Sequence, residues 1–230
     1  MKLLQEKLNF LLDKYSVDEK ITIDDKKTAT INGEKAPLFS HRNERRFIEL
    51  RNIANNGTLK NISVMRVARI ITKGSDIFEA LYREFDICRF VLNDEFKQVT
   101  AMKNGNVMNI IATTNKGIVC TIEISATLKD GIKPIDKHEI IAEHGIACDV
   151  VVDAQLKQDS IYLYGEEEKK FTDVDFELYG LEIEDIAVVR AAFSLAQTKN
   201  VDERKASAKV LETLVKAAET SVEKCERVVL

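Results

Sequence analysis

The 230-residue sequence has no tryptophan, only two prolines and only three histidines. Its nine glycines are Gly33, Gly57, Gly74, Gly105, Gly117, Gly131, Gly145, Gly165 and Gly180. No two of them are separated by a single residue. That spacing excludes a GxGxxG dinucleotide turn, and no GxxxxGK[ST] phosphate loop is present. The four cysteines, Cys88, Cys120, Cys148 and Cys225, are scattered without a CxxC pair. Buried or inert thiols in a reducing, cytoplasmic compartment are the expectation. No serine has a GxSxG setting and no Cys-His pair is evident. No apolar run approaches the ~18 residues of a membrane span. The opening MKLLQEKLNFLLDKY begins like a secretory leader, but Gln5, Glu6, Lys7 and Asp13 interrupt it. An excess of positive charge is also missing: the net charge is −4. The densest basic stretch, His41 to Arg51, interleaves with Glu44 and Glu49. Neither nucleic acid nor a membrane is an expected partner.

What the sequence does have is periodicity. Leu3, Leu4, Leu8, Leu11, Leu12 and Tyr15 recur at helical spacing over residues 2–15. ITID (21–24) and TATIN (28–32) alternate and predict a hairpin. GEKAP (33–37) reads as a turn leading into a short strand, PLFSH (37–41). RNERRFIELRNIANNG (42–57) reads as a helix with Phe47, Leu50, Ile53 and Ala54 inward, stopped by Asn56-Gly57. A long strand (62–73) precedes a second helix, GSDIFEALYREFDICRF (74–90). Strands are then expected at 96–104, 106–114, 117–128, 137–145, 147–155, 160–165 and 170–180. Their short turns, such as Asn104-Gly105 and Asn115-Lys116-Gly117, require antiparallel neighbours. Helices at 184–197 and 202–225 and an extended ERVVL tail close the chain.

This order predicts an α+β fold: one open, mostly antiparallel sheet with helices on a single face. Ile110, Ala112, Val119, Thr121 and Val151 populate both faces of several strands. The uncovered face is therefore expected to bury itself in a homodimer or higher homo-oligomer.

Chemistry is sparse. His138 and His144, six apart on one expected strand, would share a face, with Glu139 and Glu143 nearby. The spacing matches no familiar metal pattern, and no metal is expected. In the 74–90 helix, Phe78, Leu81, Phe85, Cys88 and Leu92 face the core. Glu79, Arg83, Asp86 and Phe90 form the adjacent stripe. Glu79 and Arg83 sit at i, i+4 with the acid first, the favourable order for an ion pair. Asp76 and Glu79 also fit a capping box.

The strand 62–73, then GSDIFEALYREFDICRFVLN, then the run of strands, resembles the C-terminal domain of the Gfo/Idh/MocA oxidoreductases. SHRNERRFIELRNIANNGTLKNISVMRVAR (40–69), ATTNKGIVCTIEISATL and the closing helix with ERVVL extend the resemblance over roughly residues 36–230. It implies a division at residue 35, with 1–35 standing where the family carries its dinucleotide-binding Rossmann domain. Glu34-Lys35 in GEKAP is similar to the family's lysine motif but abuts the following strand directly. Aligned through REFDICRF, which is similar to the family's HDIDLARW, the position of the family's proton-accepting histidine is Arg83 and that of its aspartate is Glu79. Arginine stays protonated at any working pH. The resemblance thus implies a non-catalytic substrate or oligomerisation domain with no catalytic residue and no cofactor. Its pocket would be lined by Arg42, Arg46, Glu79, Tyr82 and Arg83 and take a sugar or small acidic metabolite. Two alternatives stand beside it. One is the substrate subunit of a split oxidoreductase that works with a separate Rossmann chain. The other is an assembly module using helix 2–15.

Overall fold

The structure, a computed structural model, describes residues 1–149, 160–164, 169–172, 177–178 and 180–230. The expected strand segments at 150–155 and 173–176, Gly165, and Val151 as a face residue lie outside the described residues. The chain divides into two compact units. The first comprises Met1–Phe47 and Val174–Val210, the second Ile48–Asp173 and Leu211–Leu230. Residues 1–35 are therefore not a unit by themselves.

The first unit is built on helix α1 (Lys2–Lys14), strands β1 (Ile21–Ile23), β2 (Thr28–Ile31) and β3 (Glu34–Pro37), and helix α4 (Ile183–Thr198). The three strands form an antiparallel meander in the order β1-β2-β3. GEKAP is a strand rather than a lead-in turn, and 37–41 is not a strand. Asn32 and Gly33, at φ of 51° and 86°, form a two-residue turn that pairs Ile31 with Glu34. Asn-Gly is the strongest sequence signal for such a turn. Pro37, which has no N–H, ends the strand, and a 3-10 turn (Ser40–Asn43) follows. The apolar stripe of α1, Leu4, Leu8, Leu11 and Leu12, is buried in one cluster with Ile21, Ile23, Ala29 and Ile31 and with Val188, Val189 and Ala192 of α4. The apolar face that helix 2–15 would have offered to a partner is already used within this unit.

The second unit carries a nine-stranded sheet in the order β11-β10-β9-β8-β4-β7-β6-β5-β12. Its strands are β4 (Val64–Thr72), β5 (Phe96–Asn104), β6 (Val107–Thr114), β7 (Val119–Leu128), β8 (Ile135–Ala142), β9 (Gly145–Cys148), β10 (Ser160–Tyr164), β11 (Lys169–Thr172) and β12 (Val228–Val229). Every pairing is antiparallel except β4 with β7. The exception has a simple cause. Helix α3 (Ile77–Leu92) returns the chain after β4, so β5 starts in the direction of β4. Two hairpins later β7 runs the same way and closes against β4. Helices α2 (Arg45–Asn55) and α5 (Val201–Lys224) are each divided between the units. Phe47, Leu50 and Ile53 of α2 are buried as expected.

One face of this sheet is covered. Met65, Val67 and Ile71 of β4, Met108, Ile110 and Ala112 of β6, and Cys120, Ile122, Ile124 and Ala126 of β7 are all buried. The opposite face leaves Met102, Val107, Ile111 and Ile135 exposed. His144 is not on a strand with His138, because β8 stops at Ala142 and His144 lies in the turn before β9.

The β5 edge closes through Ser221 of α5. Its buried Oγ accepts from Ala101 N at 2.9 Å and donates to Glu226 O at 2.5 Å, just before β12 pairs with β5. Ser221→Ala leaves the Ala101 amide without this acceptor. The expected loss is about 1–3 kcal/mol in urea unfolding, with faster hydrogen exchange at Ala101.

Candidate functional site

Helix α3 is capped where its sequence says. Asp76 accepts from Phe78 N at 2.8 Å, and Asn93 ends the helix in a left-handed conformation at φ 49°. Leu81, Phe85, Cys88 and Leu92 are buried as expected, and the buried stripe is wider than the expected one. Ile77, Leu81, Glu84, Cys88 and Val91 recur at i, i+4, i+7, i+11 and i+14 and are all buried. Phe85 and Leu92 are buried beside them, while Phe78 is only half-buried. Asp86, expected on the polar stripe, is buried as well and lies 3.7 Å from Arg89. A fully buried carboxylate, Glu84, thus sits at the centre of the helix face that meets the sheet.

The strands beneath supply its partners. In β4, Arg69 falls at the same alternation as Met65, Val67 and Ile71, so it points to the covered face. In β8, Asp136 and His138 alternate with Ile140 toward that face. The register places Val67 opposite His138 and Arg69 opposite Asp136. The ring of His138, fully buried, lies between two carboxylates. Nε2 is 2.8 Å from Glu84 Oε2, and Nδ1 is 2.6 Å from Asp149 Oδ2. Asp149 is tied a second time, by His138 N to Oδ1 at 2.6 Å. On the other side of Glu84, Arg83 Nη1 donates to Oε1 at 2.6 Å and to Asp136 Oδ2 at 3.2 Å. Arg69 Nη1 lies 2.9 Å from Asp136 and 3.3 Å from Glu84. Three carboxylates meet two guanidiniums and one imidazole in a single network.

Its electrostatics follow from these contacts. Burial disfavours the charge on Glu84, but the Arg83 charge, the His138 hydrogen bond and the Arg69 charge together more than offset it. The carboxyl is held well below the usual carboxylate range. Burial likewise works against a charged His138, yet Asp149, by charge and hydrogen bond, and then Glu84 push its pKa up to about 9. At neutral pH the ring is an imidazolium that donates from both nitrogens.

Glu84, Asp136 and His138 present ligand atoms close enough together for a metal ion. The donor set does not suit one. His138 has no free lone pair while it bridges two carboxylates, and two guanidiniums already occupy the acceptor oxygens. The pairing imagined from sequence also dissolves. His144 is exposed beside Glu143, and Glu139 pairs with Arg66 and Lys137 on the opposite sheet face.

Of the five expected pocket residues, Glu79, Tyr82 and Arg83 lie on α3 in the second unit, with Glu79 exposed and the other two half-buried. Arg42 and Arg46 belong to the first unit. Arg42 donates to Ser207 Oγ at 2.8 Å and stacks over the Phe39 ring. Arg46 donates to Glu44 at 2.7 Å and stacks over Phe47. Within the second unit an open cavity of ≈ 660 Å³ is lined by Glu49, Arg51, Asn52, Asn55, Asn56 and Thr58, with Ile53 and Leu163, and by none of the five. The sequence reading missed Glu84, Asp136, Asp149 and Arg69. For Glu84, Asp136 and Arg69 the signal is a charged residue at the core phase of its own element, whereas Asp149 lies just past the end of β9.

No family model matches the chain, and no curated protein does. Solved structures do match in fold. One is an inositol dehydrogenase homologue from Azotobacter vinelandii complexed with NADH and myo-inositol: TM-score 0.62, 10% identity, 85% of this chain and 64% of that one. Another is an oxidoreductase from Agrobacterium radiobacter in complex with NAD+, L-tartaric acid and magnesium: TM-score 0.63, 15% identity, 83% and 63%. A third is a super-repressor mutant of Gal80p from Saccharomyces cerevisiae: TM-score 0.65, 9% identity, 83% and 63%. The chain spans a little under two thirds of the length of these proteins. Its fold is that of Gfo/Idh/MocA oxidoreductases over the part that it spans.

The raised pKa of His138 has a thermodynamic consequence. A group whose folded pKa is about 9 and whose unfolded pKa is about 6.5 binds more protons in the folded state between those values. Its stabilisation, on the order of 3 kcal/mol, is complete below pH ~6.5 and is lost as pH rises through ~9. Denaturant unfolding at pH 6, 7.5 and 9 measures this decline, which His138→Gln abolishes.

Proposed function

We propose that this chain is a non-catalytic counterpart of the substrate domain of the oxidoreductases that share its fold. It holds a sugar or small acidic metabolite at the half-buried edge of α3 and pairs with a second copy through the open face of its sheet. The observation that carries the reading is Arg83. At the helix position where the resemblance puts a proton-accepting histidine stands a guanidinium bonded to Glu84 and Asp136. A permanent cation cannot take a proton from a hydroxyl, but it binds carboxylates and hydroxyls well. One further fact supports this reading: one of the structural neighbours is a super-repressor mutant of Gal80p.

The oligomer reading rests on the uncovered sheet face. Met102, Val107, Ile111 and Ile135 are exposed there, with Val64, Ile70, Val119 and Ile141 half-buried on the same side. Arg66, Lys137 and Glu139 add both signs of charge, which suits a self-complementary surface. The runner-up reading, a subunit of a split dehydrogenase, predicts that a dinucleotide-binding chain co-purifies.

Two measurements test these statements. L-tartrate or myo-inositol raises the melting temperature of the wild type, NAD and NADP do not, and Arg83→Gln removes the L-tartrate effect. A shift with NAD or NADP alone overturns the non-catalytic reading. Light scattering gives a dimer or larger for the wild type and a monomer for Ile111→Asp; a monomeric wild type overturns the interface.

A further inference from the structure

The path Asp149–His138–Glu84–Arg83 runs from the buried end of the β8–β9 pair to the only member of the four that reaches solvent. Its three links measure 2.6, 2.8 and 2.6 Å. Asp149, His138 and Glu84 have no exposed surface, whereas the Arg83 side chain retains 20%. Each of the two inner members uses opposite ends for its two links. His138 takes Asp149 on Nδ1 and Glu84 on Nε2. Glu84 takes His138 on Oε2 and Arg83 on Oε1. A carboxylate held at both oxygens cannot rotate about its terminal torsion, which is otherwise soft. The plane of Glu84 is set by His138, and that plane sets where Oε1 meets Arg83.

We propose that His138 and Asp149 are positioning residues for Arg83: by clamping Glu84 they fix the guanidinium in the orientation in which it receives the carboxylate or hydroxyl of a ligand. This rests on the ligand reading of Arg83 given above, but the clamp itself stands without it. Neither residue can touch a ligand, since both are sealed between helix and sheet. A preorganised guanidinium loses less freedom on binding than a mobile one, so the gain is in affinity and geometry rather than in new contacts.

The test separates positioning from plain stability. Arginine-selective NMR of the full chain reads the Arg83 Nη groups directly, with His138→Gln and Asp149→Asn as the variants. Ile122→Ala, a core change on β7 outside the network, is the control for lost stability. Expected are slowly rotating, resolved Arg83 Nη signals in the wild type and the control. In both clamp variants these signals broaden or merge, and affinity for L-tartrate drops about tenfold, the size usual when an outer partner of a ligand-binding group is removed. Either variant suffices should the other fail to fold. Unchanged Arg83 signals in the clamp variants, or equal broadening in the control, overturn the positioning role. Absence of L-tartrate and myo-inositol binding by the wild type overturns the ligand reading instead, while the Arg83 signals still decide the clamp.

Discussion

A carboxylate with no exposed surface lies at the centre of the helix face that packs on the large sheet, and the second unit is arranged around that fact. Sealing one ion from water costs several kcal/mol even after relaxation, so Glu84 is tolerable only beside opposite charge. The sheet, with Arg83 of α3 itself, provides it. Glu84, Asp136 and Asp149 carry three negative charges, and Arg69, Arg83 and His138 carry three positive ones. Among the described residues these six sum to zero, each lies within hydrogen-bonding or ion-pair reach of another, and the imidazole keeps its proton because Asp149 and Glu84 flank it. Removing any one member strands an opposite charge in a low-dielectric seam, which is costlier than never having built the network.

This balance also fixes geometry. Apolar packing lets a helix slide or roll on a sheet at modest cost, since one methylene replaces another. A set of directional bonds does not. Glu84 must stand above the β4–β8 boundary, where the antiparallel register sets Arg69 against Asp136 and Val67 against His138. The parallel β4–β7 pair then follows from where α3 returns the chain. Asp149 anchors the far side by holding both the ring and the backbone N–H of His138.

The parts of this fold that the sequence revealed are those that short stretches decide alone. Asp76 caps α3, and the hairpins between 96 and 128 follow from their turns. The small number of helices was enough to mark one sheet face as uncovered. The errors came where a local signal was passed over or where the deciding partner was distant. Asn32-Gly33 specified a third strand in the small meander, yet the stretch after it was read as a lead-in. A glutamate in mid-helix looks like a surface residue until one counts that positions 77, 81, 88 and 91 around it are all apolar. Even then its distant partners are 15 and 54 residues away, at Arg69 and His138. Nothing within a dozen residues of Glu84 predicts which strands will lie beneath it.

The same balance bears on why arginine stands at position 83. A neutral histidine there would leave the six groups one charge short beside two carboxylates. A protonated one would have to hold its proton beside Glu84, in direct competition with His138 for the same carboxylate. Arginine avoids both outcomes because its charge does not depend on pH and its several N–H groups serve Glu84 and Asp136 together. Arg83 thus completes the neutral network around Glu84 and Asp136. Placing a histidine at that position would require rebuilding the charges beneath it, and a single exchange at Arg83 does not do so.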